Sequence, residues 1–260
     1  MKLGAQLYTL REHCKTLEDF AATLKRVADI GYKYVQVSGT CAYEPEWLKA
    51  ELDKNGLECV LTHMPPVRLV EETDDIIAAH KILGCKHIGI GMYEMSRRRH
   101  EYDEFLEKFK PVAQKLKDEG FYLVYHNHNM EFARFEGETK TVLEMLLEEF
   151  DPSLFGITVD VYWVQFAGAD PALWLEKLAG RAPCIHLKDM VMHLTGERSV
   201  SSDHRPAAVG YGNMNFDRII ESALKSGVEY ALVEQDDCFD EDPFDCLQKS
   251  YDYITSHYDF

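Results

Sequence analysis

The sequence predicts a single-domain (β/α)8 barrel spanning residues 1–260, and three observations carry that prediction. First, one local pattern recurs: a charged, helix-like segment ends in Gly and a short apolar run follows. Second, these apolar runs are only a few residues long and lack polar alternation, as expected of parallel strands buried on both faces. Third, most of the runs end in or beside His, Asp, Glu or Gln, and in a barrel the chemistry stands at the C-terminal ends of several strands. An open doubly wound sheet, the competing architecture, normally carries a Gly-rich phosphate loop, and the sequence has no GxGxxG.

The repeat reads "KRVADIGYKYVQV", "AELDKNGLECVLT", "AAHKILGCKHIGI", "KLKDEGFYLVYH", "EKLAGRAPCIHL" and "ALKSGVEYALVE", with Gly31, Gly56, Gly84, Gly120, Gly180 and Gly227 just past the helical segments. Gly is favoured there because it takes the left-handed conformation that closes a helix. The strands begin near Lys2, Tyr32, Leu57, Lys86, Phe121, Phe155, Pro183 and Glu229. Between them, "TLEDFAATLKRVADI" places Leu17, Phe20, Leu24 and Val27 on one helical face. "DEFLEKFKPVAQKLKDEG" and "YDYITSHY" read similarly, with a kink or restart expected at Pro111. Trp47 and Trp174 fit helix packing. The stretch from Met190 to Asn213 reads as a long irregular loop on the active-site side.

Composition narrows the function classes. With 45 acidic and 28 basic residues the formal charge is −17, which opposes a nucleic-acid partner. No run of 18 apolar residues predicts a membrane span, and "MKLGAQLYTLR" is a poor signal peptide. Seven widely spaced cysteines with no CxxC pair suit buried thiols in a reducing cytoplasm better than a disulfide framework. A homo-oligomer is left open.

Strand alternation defines the candidate site. Val124, His126 and His128 share one face, as do Thr158 and Asp160, Cys184, His186 and Lys188, and Leu232, Glu234 and Asp236. Asp160, His186 and Glu234 then converge at neighbouring strand ends and, with a fourth ligand from strand five, His126 or His128, make an N/O set for one divalent ion such as Mn, Zn, Co or Fe. Each residue alone has a blander reading: a hydrogen-bonded structural His, a helix-capping Asp, or a Lys188 paired with Asp160 or Asp189. Their joint placement on four strands favours the metal.

At these residues the chain resembles the xylose isomerase-like TIM barrels, the sugar phosphate isomerase/epimerase superfamily. The resemblance rests on "LGAQLYTLR", "GYKYVQVSG", "YHNHNMEF", "VDVYWVQFAGADP", "HLKDM", "VGYGNMNFD" and "VEYALVEQD". It implies one divalent cation, commonly Mn, Co, Zn or Mg, held from strands five to eight by His126, Asp160, His186 and Glu234. Many epimerases of the group carry Glu where this chain has His126, and often Glu at the position of Gln36. The "YHNH" pattern is closer to inosose dehydratase.

The implied chemistry is proton abstraction beside a carbonyl of a sugar or polyol-derived ketone, giving isomerisation, epimerisation or, with loss of a β-group, lyase chemistry. Glu234, His128 and Lys188 are the expected catalytic groups, and Gln6, Gln36, His63, Trp163 and Asp236 the expected substrate contacts. A DNA-repair endonuclease shares the barrel but needs more ligands and a phosphate-holding surface.

Overall fold

The computed structural model describes residues 1–196 and 202–259. Eight parallel strands close into a barrel: β1 (Lys2–Gln6), β2 (Tyr34–Val37), β3 (Glu58–Met64), β4 (His87–Ile90), β5 (Tyr122–His126), β6 (Phe155–Asp160), β7 (Cys184–Leu187) and, after a two-stranded insertion, β10 (Tyr230–Val233). The insertion is an antiparallel ribbon of β8 (Asp189–Leu194) and β9 (Ser202–Ala207). The strands start within two residues of the positions read from sequence.

Outside the barrel lie α1 (Leu17–Ile30), α2 (Pro45–Asn55), α3 (Pro66–Glu71), α4 (Thr73–Leu83), α5 (Arg99–Asp118), α6 (Val142–Glu149), α7 (Val161–Phe166), α8 (Pro171–Lys177), α9 (Phe216–Lys225) and α10 (Pro243–His257). The six glycines of the repeat all have positive φ, between 65° and 122°, as helix-closing residues should. Capping is also local: Thr16 accepts from the Asp19 N–H, and Thr141 and Glu144 form a reciprocal capping box at α6.

Two cores result. The larger lies between strands and helices, with Phe20, Phe105, Phe109, Leu123 and Phe155 fully buried. The smaller plugs the lower half of the barrel interior with Val60, Leu61, Val124, Cys184, Tyr230 and Leu232. Tyr230 packs there against Tyr34 and His87, with ring centroids 5.5 and 6.1 Å apart. Close packing leaves no room at Gly156, where a Cβ would stand 2.4 Å from the Arg181 carbonyl oxygen. The polar upper half is therefore a cup with a sealed floor.

Two expectations are corrected. Met190–Asn213 is not irregular throughout: its ends pair as β8 and β9, Met190 opposite Pro206 and Met192 opposite His204. Alternating side chains and the local antiparallel register stabilise this ribbon; residues 197–201 lie outside the described residues. Nor does the helix restart at Pro111: α5 runs through it, because Pro111 is solvent-exposed and water can satisfy the carbonyl left without a partner. Trp47 does pack on Phe20 and Trp174 on Phe132, at 5.6 and 5.1 Å between ring centroids. Among the described residues no helix is long and apolar enough to cross a membrane.

Candidate metal centre

The barrel register brings the four predicted ligands together. Asp160 and His186 stand opposite each other across the β6–β7 ladder. His126 pairs with Thr158, one pleat below Asp160, and the Glu234 N–H donates to the Leu187 carbonyl just past the last β10–β7 pair. The ligand atoms of His126, Asp160, His186 and Glu234 all lie within 4.8 Å of one another, and all four residues are buried.

The tautomers suit ligation. The outer nitrogen of each imidazole faces an oxygen that can only accept: His126 Nδ1 the Gly91 carbonyl at 3.1 Å, His186 Nε2 the Gln36 Oε1 at 2.6 Å. With those N–H groups so engaged, the inner nitrogens, which face Asp160 and Glu234 at 3.2 and 2.9 Å, are the ones that would give lone pairs to a cation, the usual arrangement around a metal-ligating His. His186 Nδ1 and Glu234 Oε2 lie 2.9 Å apart, yet neither makes a hydrogen bond of acceptable geometry. Two buried donor atoms aimed at a common point, in a set of two imidazoles and two carboxylates, fit a divalent cation.

Lys188 completes the centre. Its buried ammonium lies 2.9 Å from Asp160 Oδ2, 3.1 Å from Glu234 Oε2 and 2.9 Å from Asp236 Oδ2. Burial opposes charge on all of these groups, but the mutual attraction prevails: Asp160 and Glu234 are held well below the usual carboxylate range by Lys188 and the histidines, and Lys188 is raised by the carboxylates. His186, which burial alone would lower, is raised to about 9 by Glu234 and Asp160. Asp236, by contrast, is raised by burial and by Glu234. Burial lowers His63 well below its ordinary value and His128 to about 3, so both imidazoles are neutral at pH 7.

Above the centre opens a pocket of about 500 Å³. Gln6, His63, His126, His128, Trp163, Lys188, Glu234 and Asp236 reach its surface, so most of the residues expected to meet substrate do line it. Gln36 does not: it is fully buried behind His186 and serves that ring instead. His128 lies two residues past the end of β5, with its ring 5.5 Å from Trp163 and Nδ1 without a hydrogen-bond partner. Of the two alternatives for Lys188, Asp160 is the partner. Asp189 instead accepts N–H groups from Met190, Gly210, Gly212 and Met214, tying "HLKDM" to "VGYGNM".

Several supporting groups escaped sequence reasoning, although three stand inside "YHNHNMEF". Asn127 Oδ1 accepts the Asp160 N–H at 3.1 Å, fixing β6 against β5. Glu131, fully buried, accepts from the His128 N–H and the Tyr125 hydroxyl, each at 2.7 Å. Asp160 uses its second oxygen to cap α7 through the Trp163 N–H, so it is both a cap and a cluster member.

The family model of the xylose isomerase-like TIM barrel matches residues 24–243. The chain belongs to this family. It is 26% identical over 191 residues to an inosose dehydratase of Geobacillus kaustophilus, an alignment that covers 64% of this chain and 61% of that protein. The chain thus spans less than two thirds of that curated relative's length. A sugar phosphate isomerase/epimerase of Parabacteroides distasonis has the same fold, with a TM-score of 0.80, 23% identity and coverage of 98% of this chain and 94% of that one. So does a probable 3-DHS dehydratase of Bacillus anthracis, with a TM-score of 0.74, 14% identity and coverage of 99% and 100%.

Proposed function

We propose that this chain is a divalent-metal-dependent isomerase or epimerase of a keto sugar or polyol-derived ketone, acting by proton abstraction next to the carbonyl. The observation that carries the reading is the four-residue cluster whose two histidines have their outer N–H groups tied away, at the floor of a pocket large enough for a sugar. The cation, when bound, supplies positive charge against the oxygen on which negative charge develops as the proton leaves. Glu234, ionised and at the pocket surface, takes the proton. Lys188 remains protonated and donates to a substrate oxygen. Neutral His128, three strands away around the barrel, has a free Nδ1 for the second proton transfer. Trp163 and His63 bound the sugar at the sides.

A lyase reading is favoured by one observation. Asp160 is sealed beneath the pocket and strand five contributes an imidazole, so the cluster presents a single carboxylate base, Glu234, to substrate. Elimination needs one base and one acid at the leaving group, and the curated relative is an inosose dehydratase.

The test is incubation of the manganese-loaded protein with keto sugars and inososes in D2O, read by mass spectrometry and NMR. Deuterium entering at the carbon beside the ketone without loss of water supports the isomerase or epimerase. Loss of water supports the lyase. No exchange with any of them refutes the reaction class. Independently, Ala substitutions at Asp160, His186 and Glu234 should each lower bound metal; full metal content in all three would refute the centre.

A further inference from the structure

The rim of the pocket is asymmetric. The ends of β5, β7 and β10 and the residues just past them carry His126, His128, Lys188, Glu234 and Asp236, whereas the ends of β1, β3 and β4 and the segments after them present Tyr8, Met64, Pro65, Pro66 and Met92 outside Gln6 and His63. This second side is an apolar shelf continuous with the site. Met92 is 51% exposed and Tyr8 37% exposed, both at the mouth of a pocket rather than scattered on an outer helix. Large apolar side chains left in water at a binding site mark surface that a ligand covers.

Size leads to the same place. A pocket of about 500 Å³ takes a drug-sized ligand, and a single six-carbon sugar fills well under half of it. Charge argues against a phosphate as the remainder of the ligand. Lys188 is already surrounded by three carboxylates. Arg11, the other cation at the pocket, donates to the Tyr8 carbonyl at 2.9 Å and stacks 4.4 Å from the Tyr8 ring centroid. The helix that starts at the shelf, α3, opens with Pro65 and Pro66, which have no N–H to offer an anion.

We propose that the substrate is a keto sugar carrying an aromatic or similarly flat apolar substituent. The sugar lies over the metal centre and the substituent lies on the shelf of Tyr8, Met64, Pro65, Pro66 and Met92. This inference rests on the reading that the site acts on a keto sugar, and it adds what that sugar carries. A substituent placed β to the carbonyl would also be the leaving group in the lyase reading: the carbanion's electron pair forms the new double bond as the C–O bond breaks and the departing oxygen takes a proton.

Calorimetric titration with ligands that lack a ketone tests it. D-Glucose, phenyl β-D-glucoside, D-glucose 6-phosphate and phenol are titrated into manganese-loaded and metal-free protein. The expected result is that the phenyl glucoside binds at least about tenfold more tightly than glucose, a difference of about 1.4 kcal/mol. Met92→Asp, at a half-exposed position that leaves the fold intact, should reduce that ratio to below about threefold, and Tyr8→Ala should reduce it as well. Glucose 6-phosphate should gain nothing over glucose. Equal affinity for glucose and its phenyl glucoside, a preference for the phosphate, or an unchanged ratio in both variants would overturn the inference while leaving the keto-sugar reading in place. Binding of phenol with no sugar bound under any condition would overturn both.

Discussion

Replacing Lys188 by Met should make the stability of this barrel depend on a divalent cation. In the absence of metal, the Lys188 ammonium joins His186 in neutralising Asp160 and Glu234, at 2.9 and 3.1 Å from them, with Asp236 at 2.9 Å on the more solvated side. Removing one partner of a buried ion pair costs about 3–5 kcal/mol, because the remaining charge is left desolvated. The partly exposed Asp236 adds little to that sum. A loss of about 3 kcal/mol is therefore expected for Lys188→Met in chelator, a large share of a stability of about 5–15 kcal/mol.

A divalent cation should reverse the loss, since it neutralises the same carboxylates without Lys188 competing for them. At a hundredfold excess over its dissociation constant a ligand stabilises by about 2.7 kcal/mol, and the variant should also bind manganese more tightly than the wild type. Urea unfolding followed by circular dichroism, in EDTA and in manganese chloride, gives the four midpoints. Equal wild-type and variant midpoints in EDTA would refute the reasoning. So would a manganese-induced shift no larger in the variant than in the wild type.

Three further outcomes follow from other parts of the structure. Gln36→Leu removes the acceptor for His186 Nε2–H; manganese affinity, read by calorimetry, should fall by about 10–100-fold although the residue never touches the pocket. Gly212→Ala would drive a Cβ to 2.3 Å from Asp189 Oδ1 and loosen the loop that Asp189 organises, costing about 1–3 kcal/mol in urea unfolding. Burial lowers His80 to about 4, so it is neutral in the fold, bonded to Thr62 and the Ile76 carbonyl, while the unfolded chain takes a proton near pH 6.5. Its contribution is present above pH 6.5 and is lost as pH falls toward 4, by on the order of 3 kcal/mol. The stability of His80→Gln should fall less steeply over that window, and parallel profiles would contradict the assignment.

The sequence by itself determined the barrel, because its determinants are local and repeated. Each Gly that closes a helix is followed by an apolar run too short for another helix, and eight such runs leave few topologies open. It also determined the candidate ligand types: alternation puts Asp160, His186, Glu234 and the strand-five histidines on inward faces whatever the details of loops. What it could not decide is anything set by contacts between distant elements. Gln36 and His186 are far apart in the chain, and only barrel closure shows that Gln36 serves the ring rather than the substrate. Lys188 had two acidic neighbours in prospect; the tertiary structure gave it Asp160 and turned Asp189 to the backbone of a loop more than twenty residues away. The ribbon of β8 and β9 was hidden because its pairing is set between two strands and cannot be read from either alone. The shelf of Tyr8, Met64, Pro65, Pro66 and Met92 is assembled from three loops whose residues look like ordinary connections until the barrel brings them to one side of one pocket.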